Sequence, residues 1–352
     1  MPSEVVTLLK KLVNVPSTSG QESEIGLELQ DWSRKQHLDT VFDDTGVKIT
    51  IHGKKSGKTL LYVSHLDTVP PGQGWEVSPY DGIIISDRLI GRGAVDAKAS
   101  VASMCLAANY LNEHRLIMSG SLIILAVFCE ETKDAKMPEA LEHLGFLPNA
   151  AIIGEPTQLQ ACIGQVGLLV LRLIWKGDEH HPGNLPKAKN VIYQAAHDLV
   201  KLYEFAFKNP HLKIFTPISI DTICQVGMTP VKCEAVIDIR TDFGCNYAKL
   251  LKNIGKYLDF AKVEVISDRL SPIKTPKNST LLRTIKNIDP SITEYFSTTC
   301  SDWAYLPGVD AVKLGPGDSN LSHTPNESVR IKEVKKAVDL YIRIAENYLE
   351  ST

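Results

Sequence analysis

Apolar positions along this chain recur in two rhythms. "LLKKLVNV" and "IGLELQDWSRKQ" space them as helices do, whereas "VKITIHG" and "TLLYVSH" read as strands. "SVASMCLAANYLNEH" predicts a well-buried helix, followed by the strand "SLIILAVFC", the amphipathic helix "MPEALEHLG" and the strand "NAAIIGE". Strand and helix in alternation predict an α/β domain with a mainly parallel sheet covered on both faces. From about Gln165 the order changes. "VGLLVLRLIWKG" reads as a strand, "NVIYQAAHDLVKLYEFAF" as a helix, "ISIDTICQVG" and "KCEAVIDIRTDF" as strands, "YAKLLKNIGKYLDF" as a helix and "KVEVISDRL" as a strand. This β-α-β-β-α-β order predicts a small ferredoxin-like α+β domain. After "SPIKTPKN" the α/β pattern resumes with "DAVKLGPG" and the helix "IKEVKKAVDLYIRIAENYL". The expected organisation is a large domain built from 1–164 and 275–352, with 165–274 inserted into it.

Composition narrows the class. At 352 residues, 43% hydrophobic and 22% charged, the chain reads as a soluble globular protein longer than one core usually allows. A net charge of -3 gives no footprint for nucleic acid or an anionic membrane. "MPSEVVTLLKKLVNVPSTSG" lacks the unbroken apolar core of a signal peptide, and no apolar run approaches the roughly 20 residues that span a bilayer. The seven cysteines are scattered and never spaced CxxC, which fits reduced packing residues in a cytoplasmic protein better than disulfides or a thiolate zinc site.

The chemistry is expected where strands end, because ligands of doubly wound sheets collect beyond the carboxyl ends of the strands. "SLIILAVFCEET" runs from a buried strand into two adjacent carboxylates, Glu130 and Glu131, which repel each other unless something nearby compensates. "TLLYVS" delivers His65 and, two residues on, Asp67. "NAAIIG" delivers Glu155, "DAVKLG" feeds the loop that holds His323, and Asp96 sits in the Gly-rich turn of "LIGRGAVDAKAS". Singly, each such residue is more often a cap or a hydrogen-bonded structural group. Jointly they form a set of imidazole and carboxylate donors suited to zinc, manganese or cobalt.

"HLDTVP", "GRGAVDAKAS", "CEET", "GEPT" and "GPGDSNLSHTPNE" together resemble the five metal-site motifs of the di-zinc aminoacylase/carboxypeptidase family, which includes acetylornithine deacetylase, succinyl-diaminopimelate desuccinylase and carboxypeptidase G. The resemblance covers nearly the whole chain. It implies two divalent ions, zinc first and cobalt second, bridged by Asp96, with His65 and Glu155 completing one and Glu131 and His323 the other. Three ligand carboxylates against four positive charges leave a residual charge to polarise a substrate carbonyl. Asp67 is implied to fix the His65 ring, and Glu130 to act as the base that takes a proton from the attacking water and returns it to the leaving amine. His181, at the G-x-x-x-H spacing from Gly177, is implied to assist from the partner subunit of a homodimer joined through the inserted lid domain, with His180 as the runner-up. Gly315 and Gly317, in the last motif, are implied to contact the substrate. Ser301 and Asp302 occupy a loop that often contacts substrate, although an N-capping role fits "SDWAYL" equally.

The implied reaction is hydrolysis of an acyl amide on an amino acid, N2-acetyl-L-ornithine in arginine biosynthesis being favoured. Release of lysine or ornithine from an amino-group carrier protein and desuccinylation of succinyl-diaminopimelate are the alternatives, and a catalytically dead binding protein of the same fold is the non-enzymatic one. Pro182, the altered spacing to Pro186 and Asn190, and Gly227 in "GMTP" depart from the family pattern and touch substrate identity, not chemistry. Other signatures fail: "GKKSGKTLL" is one residue short of a phosphate loop and leads into a strand, "GRGAVD" lacks a third glycine, and no GxSxG elbow is present.

Overall fold

The computed structural model describes residues 2–184 and 189–350, and the chain divides into two compact units. The first comprises Met1–Gly164, Lys274–Phe296 and Ser301–Thr352; the second comprises Gln165–Ile273 with Ser297–Cys300.

The first unit is organised by a sheet in the order Asp39–Asp43, Gly46–His52, Ser119–Val127, Lys55–His65, Ala150–Ile153, Asp310–Lys313, Ala161–Gln165. The four strands from Ser119–Val127 to Asp310–Lys313 are parallel, and antiparallel neighbours flank them. Their runs of Leu, Ile and Val are continuous because helices bury both faces, as the sequence pattern implies. Helix Lys98–Glu113 is buried nearly all round, and helix Ile331–Glu350 turns Val334, Val338, Tyr341, Ile344 and Ala345 inward at helical spacing. These pack with Leu8, Leu12, Tyr62, Ile152 and Val312 into one core, each large aliphatic side chain contributing about 1.5–3 kcal/mol by leaving water. The register sets His65 beside Val127 and Val63 beside Ile153. Three strands therefore finish at one edge, immediately before Leu66-Asp67, Glu130-Glu131 and Glu155.

A second, small antiparallel sheet joins Ile83–Ile85, Arg88–Ile90 and Ser328–Arg330. It pairs Ser328 with Ile90, so the segment after His323 runs beside the turn that carries Asp96.

The second unit is a four-stranded antiparallel sheet in the order Leu212–Thr222, Lys232–Thr241, Gly167–Lys176, Lys262–Leu270. Helices Val191–Lys208 and Tyr247–Tyr257 cover one face. Leu169, Leu171, Leu173 and Trp175 alternate inward opposite Ala235, Ile237 and Ile239, and meet Leu202, Phe205 and Ile254. The strand read from "ISIDTICQVG" begins earlier and ends earlier, at Leu212 and Thr222. It is an edge strand exposed along most of its length, so it carries no clean inward-outward alternation to mark its limits. Pro186, whose spacing departs from the family pattern, lies outside the described residues.

Candidate metal centre

His65 ends a strand whose last six residues are buried, which fixes the ring before any partner is considered. Its Nδ1–H donates to the Asp67 main-chain carbonyl at 3.0 Å, with the Asp67 carboxylate at 3.4 Å. That tautomer leaves Nε2 as a donor atom for a cation. Nε2 lies 3.2 Å from Asp96 Oδ1 and 3.8 Å from Glu155 Oε1. On the other side, His323 Nε2 lies 2.8 Å from Glu131 Oε1 and 3.6 Å from Asp96 Oδ2. The two oxygens of Asp96 thus face two different histidines, each with its own glutamate.

The Asp67 carboxylate does something the sequence did not suggest. Fully buried, it accepts the backbone N–H of Glu130 at 3.0 Å on one oxygen, and that of Glu131 at 3.1 Å plus the Ser19 hydroxyl at 2.7 Å on the other. Aiming both N–H groups at one carboxylate requires a tight corner, and Cys129 supplies it with a φ of 57°. A left-handed non-glycine residue costs roughly 1–2 kcal/mol. Here the buried Glu22 carboxylate holds the corner, accepting the Cys129 N–H at 3.0 Å.

Charge accumulates at this edge. Burial pushes Glu130 well above the ordinary carboxylate range, and the neighbouring charge of Asp302 adds to it. Burial and Asp96 push Glu155 up to about 8. Glu131 is also raised, by burial and then by Asp96, against the hydrogen bond from His323. Burial pushes Asp96 up too, but the hydrogen bond and charge of His65 and the charge of His323 outweigh it, leaving Asp96 below its usual value. Three of these four clustered carboxylates, Glu130, Glu131 and Glu155, are thus pushed toward protonation, the pattern of a site whose acids call for a cationic partner.

The donor set fits metal ions. Donor atoms of His65, Asp96 and Glu131 all lie within 4.8 Å of one another, and the one-oxygen-per-histidine arrangement of Asp96 suits a carboxylate shared between two cations. A second acid-histidine group, His197, Asp198 and Asp259, is already committed. Asp198 takes the Trp175 indole N–H and the backbone N–H groups of Asp259, Phe260 and Ala261, and Asp259 is bonded to Lys201 at 2.9 Å.

The remaining candidates fall differently. Ser301 caps the short turn Asp302–Tyr305, accepting the Trp303 N–H, and Asp302 is buried behind it. Gly315 is a packing glycine: a Cβ there would meet the Glu155 carbonyl and the Ser100 hydroxyl, each at 2.5 Å. Gly317 has a φ of +95°, and a Cβ would meet Val95 at 2.1 Å. His181 lies in the second unit, exposed, its Nδ1 accepting the Gly183 N–H at 3.2 Å. His180 is also exposed, its main chain tied to Thr229. Ser19, Glu22, Arg92 and Glu327 were missed by the sequence reading. The last two stand within quoted motifs, but nothing about their spacing announced what they touch.

An α/β sheet whose edge gathers His65 and His323 about the two oxygens of Asp96 offers a donor set for divalent cations. Accordingly, the model of peptidase family M20/M25/M40 matches residues 61–347, and the chain belongs to this family of metallo-hydrolases that cleave amide bonds. It is 26% identical to a [LysW]-lysine/[LysW]-ornithine hydrolase from Sulfurisphaera tokodaii, covering 97% of this chain and 95% of that one. It is 25% identical to a succinyl-diaminopimelate desuccinylase from Aliarcobacter butzleri, over 98% and 100% of the two chains. In fold it matches a dinuclear metal-binding M20 peptidase from Bacillus subtilis with a TM-score of 0.78 at 15% identity, covering 100% of this chain and 99% of that one. No helix among the described residues is long and apolar enough to cross a membrane.

Proposed function

We propose that the chain hydrolyses the acyl amide of a diamino acid, using two divalent cations held by His65, Asp96 and Glu155 on one side and Glu131, Asp96 and His323 on the other. The observation that carries this reading is the division of the Asp96 carboxylate between the two histidines, at 3.2 and 3.6 Å. When bound, the ions supply Lewis-acid polarisation of the scissile carbonyl and acidify water; zinc is the expected metal, with cobalt as a substitute. The dinuclear character of the Bacillus subtilis neighbour supports the count of two.

Glu130 is the proposed base. Its raised proton affinity suits a group that takes a proton from water and keeps it until the amine leaves. Asp67 fixes both glutamates through their N–H groups, so binding and proton transfer are divided between adjacent residues of one corner. His181 presents Nε2–H as a hydrogen-bond donor, because its Nδ1 already accepts from Gly183. We assign it the oxyanion, acting from a second protomer. The second unit is the proposed dimerisation domain, and the first the catalytic one. Helix Val191–Lys208 leaves Tyr193, Val200, Tyr203 and Phe207 exposed, and the edge strand Leu212–Thr222 leaves Ile218 and Ile220 exposed. An open edge beside an apolar stripe suits pairing with a second copy.

The relatives act on lysine, ornithine or diaminopimelate derivatives by name, all diamino acids. N2-acetyl-L-ornithine is the simplest member and the substrate expected from the motifs. The catalytically dead alternative is disfavoured because every ligand position and the base are filled. A panel of acetylornithine, acetyllysine, acetylcitrulline, succinyl-diaminopimelate and dipeptides, each with zinc, cobalt or manganese, tests the reading. Release of the free amino acid from one acyl-diamino acid supports it; a metal-loaded protein that cleaves none of them overturns it.

A further inference from the structure

We infer that Glu327 is a positioning residue for the metal centre, locking the turn that carries Asp96 to the segment that carries His323. The inference rests on the ligand roles proposed above for those two residues. Glu327 is 1% exposed, and a buried carboxylate persists only when its acceptor sites are filled. Here they are filled from one place. Oε1 accepts the N–H of Val95 at 2.9 Å and that of Asp96 itself at 3.1 Å, while Oε2 pairs with Arg92 Nη1. The main chain of Glu327 repeats the attachment, its carbonyl accepting the Gly91 N–H at 2.9 Å. The strand that follows it then pairs Ser328 with Ile90.

Arg92 is held in turn. Its second Nη donates to the Pro71 carbonyl at 3.0 Å, and the guanidinium lies over the Trp75 ring at 5.2 Å. The indole N–H donates to the same carbonyl at 2.7 Å. Nothing in this group touches the donor atoms of the centre. It acts through Asp96, whose two oxygens must face His65 and His323 at once. Small rotations of the 95–96 peptide move both distances together, and His323 stands four residues before Glu327 on the very segment that sets that peptide. One buried carboxylate thereby fixes the relation between Asp96 and the segment of His323, extending to the 95–96 peptide an attachment that the small sheet begins at Ile90 and Ser328.

The test is cobalt(II) titration of metal-free protein, read by the visible absorption of the bound ion, with thermal melting run alongside. Glu327→Gln keeps an oxygen for the two N–H groups but sets an amide against Arg92; its cobalt affinity is expected to fall about 10-fold. Glu327→Ala removes every contact, and a fall of about 100-fold is expected, with an altered band envelope in both variants. Unchanged cobalt affinity and spectrum in Glu327→Gln, accompanied by a lower melting temperature, overturn the inference and leave Glu327 a purely structural residue. If Glu327→Ala does not fold, the decision rests on Glu327→Gln and on Arg92→Lys, for which a smaller loss in the same direction is expected. A wild-type chain that takes up no cobalt, or an unchanged titration in His323→Ala, refutes the underlying ligand assignment instead.

Discussion

Ser19 donates its hydroxyl to Asp67 at 2.7 Å, fastening the loop between the first two helices to the carboxylate that holds the paired glutamates. The loop is stitched in along its length: Ser17 bonds the Leu66 carbonyl at 2.7 Å, and the backbones of Ser17 and Thr68 pair at 2.9 Å. Ser19→Ala removes the one hydroxyl donor to a fully buried charge. The expected cost is about 1.5–3 kcal/mol of stability, the range for hydrogen bonds to charged groups, with a several-fold fall in kcat and little change in KM. Urea denaturation and steady-state kinetics read both. A variant as stable and as active as the parent means that Asp67 is held adequately without the loop.

Glu130 and Glu131 are neighbours with different expected phenotypes. Glu131→Ala removes the carboxylate 2.8 Å from His323 Nε2 and should lose bound metal. Glu130→Ala should retain metal while kcat falls by about 10²–10⁴, the range for a lost general base. Metal content by elemental analysis, set beside the rate, separates the two. Metal loss in both variants, or turnover that survives in Glu130→Ala, removes the division of roles.

The sheet and the candidate ligands were legible for one reason: buried parallel strands are written as continuous apolar runs, and a charge at the end of such a run stands out. His65, Glu130 and Glu155 all announce themselves this way, and the motif resemblance added Asp96 and His323 from loops. Ser19 and Glu22 gave no such signal. They sit in an ordinary polar turn and meet partners 48 and 107 positions away, a pairing that only the folded chain reveals. The strands Ile83–Ile85, Arg88–Ile90 and Ser328–Arg330 have three residues each, too few for alternation to show. Yet their register brings Glu327 to Asp96. Periodicity marks what packs against a core and is silent about polar groups that fix loops to one another.

His65 and His323 each face one oxygen of Asp96 and are proposed to play equivalent chemical roles, but their physical surroundings are unequal. The side chain of His65 is 1% exposed and that of His323 is 50% exposed. His323→Ala should therefore cost the metal-free fold less than His65→Ala does, its loss being chiefly the bond to Glu131, and still weaken metal binding. His65→Ala leaves a cavity between Asp96 and Glu155 and withdraws the imidazole nearest to both carboxylates, so it should lower stability as well as metal content. Melting curves of the chelated variants beside metal analysis check this. Equal destabilisation by the two changes would mean that the His323 loop is packed more firmly than its exposure indicates.

Removing the metal should expose a pH dependence that the loaded protein hides. Burial and the Asp96 charge lift Glu155 to about 8 in the metal-free site, from an ordinary 4.5. Between those values the folded chain keeps a proton that the unfolded chain has released. The contribution of Glu155 is thus fully present below about 4.5 and is lost as pH rises through 8. His65 is also raised, burial pulling it down while its bonds to Asp67 and Asp96 more than reverse the effect, and it works in the same direction. Metal binding displaces these protons, so affinity should strengthen over the window in which the metal-free fold weakens. A metal present at 1,000 times its dissociation constant adds about 4 kcal/mol. The melting temperature of chelated protein should accordingly fall from pH 6 to pH 8.5, and its gap to zinc-loaded protein should widen across the same range. A gap that stays constant with pH would mean that no proton leaves Glu155 or His65 when metal enters, and the assignment of those two residues as ligands would have to be abandoned.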